Sequence, residues 1–269
     1  MAPALEPGPL LCPPLPPCAH NSGNFVERTA TGPDFRRSGG GESNSAGVMR
    51  KGRRMIAQNR LRVRRVVAAA AMALVVLYVL VDVVLQALLP RYSVLSDAES
   101  DLAVGPFGWA MDLNFLARAA MCACVIAAIL LLKSPSRPRG SRLSAWGLAL
   151  LAISGLCSAA LVFAPADVNA PGEFGMTPHT SIGVVHVTFA TAGFVAVLAA
   201  MALLTVWASG ALPLFRAVLM FGVLGCAGLT ALALCIAVAP QLVGLAERVC
   251  LAGILGWAFV LCLGIRRLR

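Results

Sequence analysis

Long apolar runs separated by short polar breaks follow one another from Val66 to the C-terminal end of the chain. Each run has about the 20 residues that an α-helix needs to cross a bilayer, and none alternates apolar with polar residues as a membrane β-strand would. Prolines, which interrupt helices, stand in every break. The pattern predicts six membrane-spanning helices, near residues 66–89, 109–132, 143–164, 181–207, 217–239 and 248–265.

The composition supports the same fold class. Hydrophobic residues make up 59% of the chain and charged residues only 13%, whereas soluble domains average about 45–50% and about 25%. Too few charges are present to cover the surface of a soluble enzyme or a nucleic-acid-binding domain of this size. We therefore expect an all-α, polytopic membrane protein. The net charge of +10 does not indicate nucleic acid, because the basic residues flank the apolar runs.

The positions of those basic residues predict the orientation of the helices. Lys and Arg cluster before the first run, in the second break and at the C-terminus, and a single Arg stands in the fourth break. The intervening breaks are poor in basic residues. By the positive-inside rule both termini are predicted to be cytoplasmic. Arg greatly outnumbers Lys, which suggests a bacterial source, so the expected location is a bacterial plasma membrane with membrane lipids as partners.

Residues 1–54 differ from the rest of the chain. They are rich in Pro, Gly and Ser and show no apolar periodicity, so they are predicted to be a disordered tail preceding a membrane domain at 55–269. Met1, Met49 and Met55 remain alternative translation starts.

Two ionisable residues inside the first two runs suggest an interhelical contact. Asp82 lies roughly 10 Å and Arg118 roughly 13 Å from the outer ends of their runs, at 1.5 Å per residue. Charges in lipid need partners, so the two side chains are predicted to form an ion pair. Asn114, one helical turn from Arg118, is expected to share its donors.

Most other polar groups of the membrane domain fall at the same outer end, which predicts a polar, outward-facing cavity. The residues expected to line it are Asp82, Asp112, Asn114, Arg118, Asp167, His186, Glu247 and Arg248.

Three functions remain open for such a cavity. It could be purely structural, it could bind or transport a lipid or small amphiphile, or it could serve a membrane-embedded hydrolase that uses Asp167, His179 and His186. The sequence signatures of metalloproteases, serine hydrolases and nucleotide-binding loops are absent. No catalytic residue, metal site or cofactor is therefore assigned.

Glycines recur at helical spacing in the last two runs, a pattern typical of closely packed membrane helices. They are Gly222, Gly225, Gly228, Gly253 and Gly256.

Four short segments resemble one known family. They are Tyr92-Ser93-Val94-Leu95-Ser96, Trp109 with Asn114-Phe115, Phe163-Ala164-Pro165-Ala166-Asp167 with His186, and Gly244-Leu245-Ala246-Glu247-Arg248 with Trp257. In order and spacing they are similar to the bacterial six-span membrane proteins catalogued as domain of unknown function 998. The resemblance covers about residues 66–268. It implies the six-span fold and brings no reaction, substrate or cofactor.

Overall fold

The computed structural model describes residues 42–132, 142–167, 177–209 and 212–268, with side chains for residues 51–52 and from Arg54 onward. The chain divides into two compact units, Met1–Gly47 and Val48–Arg269, and the apolar helices pack together within the second. The six long helices are α1 (Glu42–Leu88), α2 (Gly108–Leu130), α3 (Arg142–Ala160), α4 (Ser181–Ala208), α5 (Phe215–Val238) and α6 (Val243–Arg267). Three short 3-10 helices, Glu99–Ala103, Leu161–Phe163 and Pro240–Leu242, lie between them.

Six helices are long and apolar enough to cross a membrane. The described residues form helices and loops without a strand, so the predicted all-α, six-helix fold class is confirmed. Residues 1–41 of the predicted tail lie outside the described residues. Residues 42–54 are helical instead, because α1 begins at Glu42. The apolar pattern marked only the membrane-crossing part of that helix, whereas the basic segment before it contains good helix formers and continues the same helix.

α6 forms the centre of the bundle. In its most apolar window 61% of the residues are buried, against 17–39% in the other five helices. Trp257 of α6 is 1% exposed, and its indole N–H donates to Thr205 Oγ1 on α4 at 2.9 Å. A buried indole requires such a partner. The outer helices surround α6 and present apolar side chains to the surroundings.

Glycines allow α5 and α6 to approach to backbone contact. A methyl group on Gly253 would collide with the backbone of Gly225, and one on Gly228 with the backbone of Cys250. Gly256 packs in the same way against the ring of Phe221. The predicted close packing is therefore confirmed at these positions. Gly222 differs, since a methyl group there would meet only Trp257, at 3.9 Å.

We use the term distal end for the end of the bundle at which α1, α3 and α5 finish and α2, α4 and α6 begin. The opposite end includes a contact between the guanidinium of Arg64 on α1 and the carbonyl of Leu268. The polar residues singled out by the sequence gather at the distal end.

Candidate functional site

A single arginine holds the connection between α1 and α2 against the start of α6. Arg248 Nη1 donates to the carbonyl oxygens of Val94, Asp97 and Gly244 at 3.0, 3.2 and 2.9 Å. Its Nη2 donates to the hydroxyl of Tyr92, and the guanidinium lies 5.3 Å from the centre of that ring. Five donors in a planar fork suit arginine to collect several acceptors of one loop.

The same loop approaches α6 so closely that only glycine fits there. A Cβ on Gly244 would collide with the carbonyl oxygens of Val94 and Asp97. Next to it, the backbone N–H of Leu245 donates to the carbonyl of Leu95 at 3.0 Å. These contacts fix the position of the loop and of the short helix Glu99–Ala103 that follows it.

The short helix places a carboxyl group inside the distal end. Glu99 is 3% exposed, and its Oε2 accepts a hydrogen bond from the hydroxyl of Tyr78 on α1 at 2.9 Å. Its backbone N–H donates to Glu247 Oε2 on α6 at 2.8 Å. The carboxyl group of Glu247 therefore bonds to the backbone of Glu99, from a distant part of the chain. Sequence reasoning missed Glu99, although Ala98 and Leu102, spaced one helical turn apart in a polar loop, indicated a loop that turns inward.

Burial sets the protonation of the loop carboxyls. Loss of water, followed by the negative charges of Asp82 and Glu247, raises the pKa of Glu99 from 4.5 to about 8. Loss of water, followed by the charge of Glu247, raises the pKa of Asp101 to about 7. Both groups therefore retain their protons in the folded protein at pH values where an exposed carboxyl has lost them.

These shifts predict that stability falls as pH rises. Between the ordinary pKa of 4.5 and the folded value of about 8 for Glu99, the folded protein binds more protons than the unfolded chain. The free energy of unfolding therefore decreases across this range. Thermal unfolding in detergent, followed by circular dichroism, should give its highest midpoint at the acid end. Glu99→Gln should remove much of the slope, and a midpoint that rises with pH would contradict the assignment.

The predicted ion pair between Asp82 and Arg118 is not formed. Asp82 Oδ2 instead accepts a hydrogen bond from Gln86 Nε2, one turn along α1, at 2.7 Å. Arg118 Nε donates to Ser158 Oγ on α3 at 2.9 Å. Asp82 and Arg118 lie at similar distances from the outer ends of their predicted helices but do not touch. The rise per residue gives the depth of a side chain, not the direction in which it leaves its helix. Asn114 does not assist Arg118 either, since its Nδ2 donates to the carbonyl of Tyr78 at 3.1 Å.

Arg118 occupies an aromatic setting. Its guanidinium carbon lies 6.0 Å from the ring centre of Tyr78 and 5.6 Å from that of Phe115, within the range of cation–π attraction. Ser158, which accepts its Nε–H, donates in turn to the carbonyl of Phe115 at 2.8 Å. Within the described part of the chain, no carboxylate oxygen lies within 4.0 Å of its nitrogens. The outer nitrogens of the guanidinium are thus left for another acceptor.

His186 and Asp167 have separate roles at the start of α4. His186 Nδ1 lies 2.6 Å from the carbonyl of Ala164, and since a carbonyl only accepts, Nδ1 carries the proton. Nε2 is buried and has no partner. Asp167 accepts hydrogen bonds from the backbone of His179 and from the backbone and hydroxyl of Thr180, at 2.6–2.8 Å. The hydrogen bonds from Thr180 are the main cause that lowers the pKa of Asp167.

These groups surround one cavity of about 330 Å³ at the distal end. One wall is polar and includes Glu99, Asp101, Arg118 and Glu247. The apolar part of the lining comes mainly from α4 and α5. It includes Val187, Ala190, Phe194, Leu229, Leu232, Ala233 and Ile236. The cavity is therefore amphipathic, since its lining combines charged groups with hydrocarbon.

The eight residues expected to line a cavity divide into two groups. Arg118, Asp167, His186 and Glu247 line it. The others lie outside its lining: Asp82 and Asn114 contact residues of α1, Arg248 holds the loop, and Asp112 is only partly buried.

The three groups named for a hydrolase, Asp167, His179 and His186, do not all converge on one point in the described residues. Within the described ranges, no group of three or more His, Cys, Asp or Glu side chains could hold a metal ion. His186 takes its Nδ1 partner from a carbonyl rather than from Asp167, and no hydroxyl group contacts its Nε2. The hydrogen bond between nucleophile and base that acyl transfer requires is therefore not formed.

The sequence profile of one family, described as Protein of unknown function (DUF998), matches residues 72–264. The chain belongs to this family. Searches of curated proteins and of solved structures give no match.

Three of the four segments singled out in the sequence of this DUF998 protein contain contacts of the distal end. Arg248 joins segment 244–248 to segment 92–96. His186 is bonded to Ala164 of segment 163–167. Their common location connects the family resemblance with the walls and supports of the cavity.

Proposed function

We propose that this protein binds one lipid or small amphiphile in the distal cavity, with the head group on the polar wall and the hydrocarbon against α4 and α5. The observation that carries the proposal is the amphipathic lining. Ionisable side chains from the short helix Glu99–Ala103, from α2 and from α6 share one cavity with the apolar residues of α4 and α5. They are Glu99, Arg118 and Glu247. A soluble polar ligand would leave that apolar surface unused.

The cavity also has a route toward the bilayer. α4 packs chiefly against α3, and α5 chiefly against α6, so that α4 and α5 contact one another less. Several lining residues on these two helices are also exposed. Ile236 is 50% exposed, and Thr191 and Ala233 are exposed as well. A hydrocarbon chain can therefore leave the cavity between α4 and α5.

The size of the cavity fits a head group better than a whole lipid. Its volume of about 330 Å³ is at the lower end of ligand pockets, which measure about 300–1,000 Å³. The rest of the hydrocarbon would remain among the membrane lipids. With the orientation predicted from the loop charges, the ligand would come from the outer leaflet of a bacterial plasma membrane.

Filling the apolar wall should test this proposal. Ala233 on α5 lines the cavity and is exposed toward the gap beside α4. Ala233→Trp should leave the protein folded but reduce the bound amphiphile severalfold, because the indole occupies the space of the hydrocarbon. The measurement is mass spectrometry of the lipids retained by the full chain after purification in detergent.

Ala227→Trp is the matched control, because Ala227 is exposed on the same helix but does not line the cavity. It should retain the same lipids as the unchanged protein. Equal retention by the two variants, or no stoichiometric amphiphile on the unchanged protein, would refute lipid binding and favour a purely structural role.

A further inference from the structure

The polar wall contains both signs of charge, held apart. Arg118 is the cation of the wall, and its only hydrogen bond among the described residues goes from Nε to Ser158. Glu99 and Glu247 line the same cavity, and no oxygen of either carboxyl group is within 4.0 Å of the nitrogens of that guanidinium. Opposite charges left apart in a low-dielectric setting remain incompletely compensated.

The acceptors of this wall also exceed its donors. Glu247 uses Oε2 for the backbone N–H of Glu99, and Glu99 uses Oε2 for Tyr78. The second carboxyl oxygen of Glu247 makes no hydrogen bond with the described residues, whereas that of Glu99 can hold the proton that burial retains. His186 adds Nε2, an acceptor on a side chain that is 3% exposed and lines the cavity. A buried acceptor without a donor is costly, so this nitrogen indicates a ligand that brings N–H or O–H groups.

We propose that the ligand is a zwitterion with a primary ammonium group and a neighbouring phosphate, as in a phosphoethanolamine head group. The outer guanidinium nitrogens of Arg118 would donate to the phosphate oxygens. The ammonium group would donate to Glu247 and His186 Nε2. This inference rests on the proposed function, since it specifies the head group of the amphiphile that the cavity binds.

Two other kinds of head group, one anionic and one with a quaternary ammonium group, fit the polar wall less well. A purely anionic head group would satisfy Arg118 but would bring a second negative charge beside Glu247 and leave His186 Nε2 without a donor. A quaternary ammonium group has no N–H to donate, and its usual recognition is by a cage of aromatic rings. The rings that line this cavity within the described residues are those of Phe115 and Phe194, which lie on different helices.

The test compares lipids that differ only in the head group. The delipidated full chain in detergent is titrated with phosphatidylethanolamine, phosphatidylcholine, phosphatidylglycerol and diacylglycerol of identical acyl chains, and binding is followed by native mass spectrometry. Phosphatidylethanolamine should bind about tenfold more tightly than each of the others, the value of one hydrogen-bonded charge. Preference for phosphatidylglycerol, or equal binding of phosphatidylcholine, would overturn the inference.

Two variants test which residue binds the ammonium group and which binds the phosphate. Glu247→Gln retains an oxygen for the Glu99 N–H but should abolish the preference for phosphatidylethanolamine over phosphatidylglycerol. Arg118→Gln should abolish the preference for phosphatidylethanolamine over diacylglycerol. Asp112→Asn is the matched control, since this partly buried carboxylate lies outside the cavity lining, and it should change neither preference. If a variant fails to fold, the lipid series on the unchanged protein still decides.

The outcomes separate this inference from the proposed function. Tight binding of all four lipids without discrimination would refute the zwitterion and leave amphiphile binding intact. Binding of none would refute both. Soluble phosphoethanolamine provides the last comparison. If it binds as tightly as the lipid, the proposed head group is supported, but the proposal that the cavity binds an amphiphile is refuted.

Discussion

Replacing Arg248 by alanine is expected to lower the free energy of unfolding by about 3 kcal/mol, because hydrogen bonds to a charged donor are worth about 1.5–3 kcal/mol each and water recovers part of the loss. The variant removes the donor shared by the carbonyls of Val94, Asp97 and Gly244 and by the hydroxyl of Tyr92. Chemical unfolding in detergent, monitored by circular dichroism, measures the change.

The same variant should also reduce ligand binding, because the loop that it loosens positions Glu99 on the cavity wall. Arg91→Ala is the control, since Arg91 is exposed in the same loop, and it should leave stability and binding almost unchanged. Arg248→Lys should fall between the two, because a lysine ammonium cannot serve four acceptors in a plane. If Arg248→Ala were as stable as Arg91→Ala, the arginine would not hold the loop.

The second large effect is expected where α5 and α6 touch. Gly253→Ala places a methyl group against the backbone of Gly225, and backbone, unlike a side-chain end, cannot rotate away. Separating the two helices should cost about 3 kcal/mol, at the upper end of ordinary overpacking. The unfolding midpoint in detergent should fall accordingly.

Gly222→Ala provides a control of opposite sign. Its methyl group would meet only Trp257, at the ordinary contact distance of 3.9 Å. Removing a glycine from a helix interior stabilises it by about 0.5–1 kcal/mol, so this variant should be slightly more stable than the unchanged protein. Equal destabilisation by both alanines would show that the contact between α5 and α6 is not the cause.

Part of the candidate site could be recognised from residue type and position along the chain. His186, Arg118 and Glu247 stand out because ionisable groups in apolar runs are costly, and all three line the cavity. Asp82 stood out for the same reason, yet it bonds to Gln86 of its own helix. Glu99, which is 3% exposed, was missed as a member of the site. The spacing of Ala98 and Leu102 indicates that the loop turns inward, but it does not indicate which acidic residue becomes buried.

Hydropathy determined the six helices of this protein, and four short segments determined the family resemblance, since both depend on the order of residues along the chain. It could not determine which helix lies at the centre. The mean hydropathy of the six apolar windows is nearly the same, from 2.0 to 2.6, while α6 is 61% buried and α5 only 17%. The physical reason is that lipid and protein interior are equally apolar, so a leucine is equally suited to either. Only the packing of the helices decided which polar groups face one another.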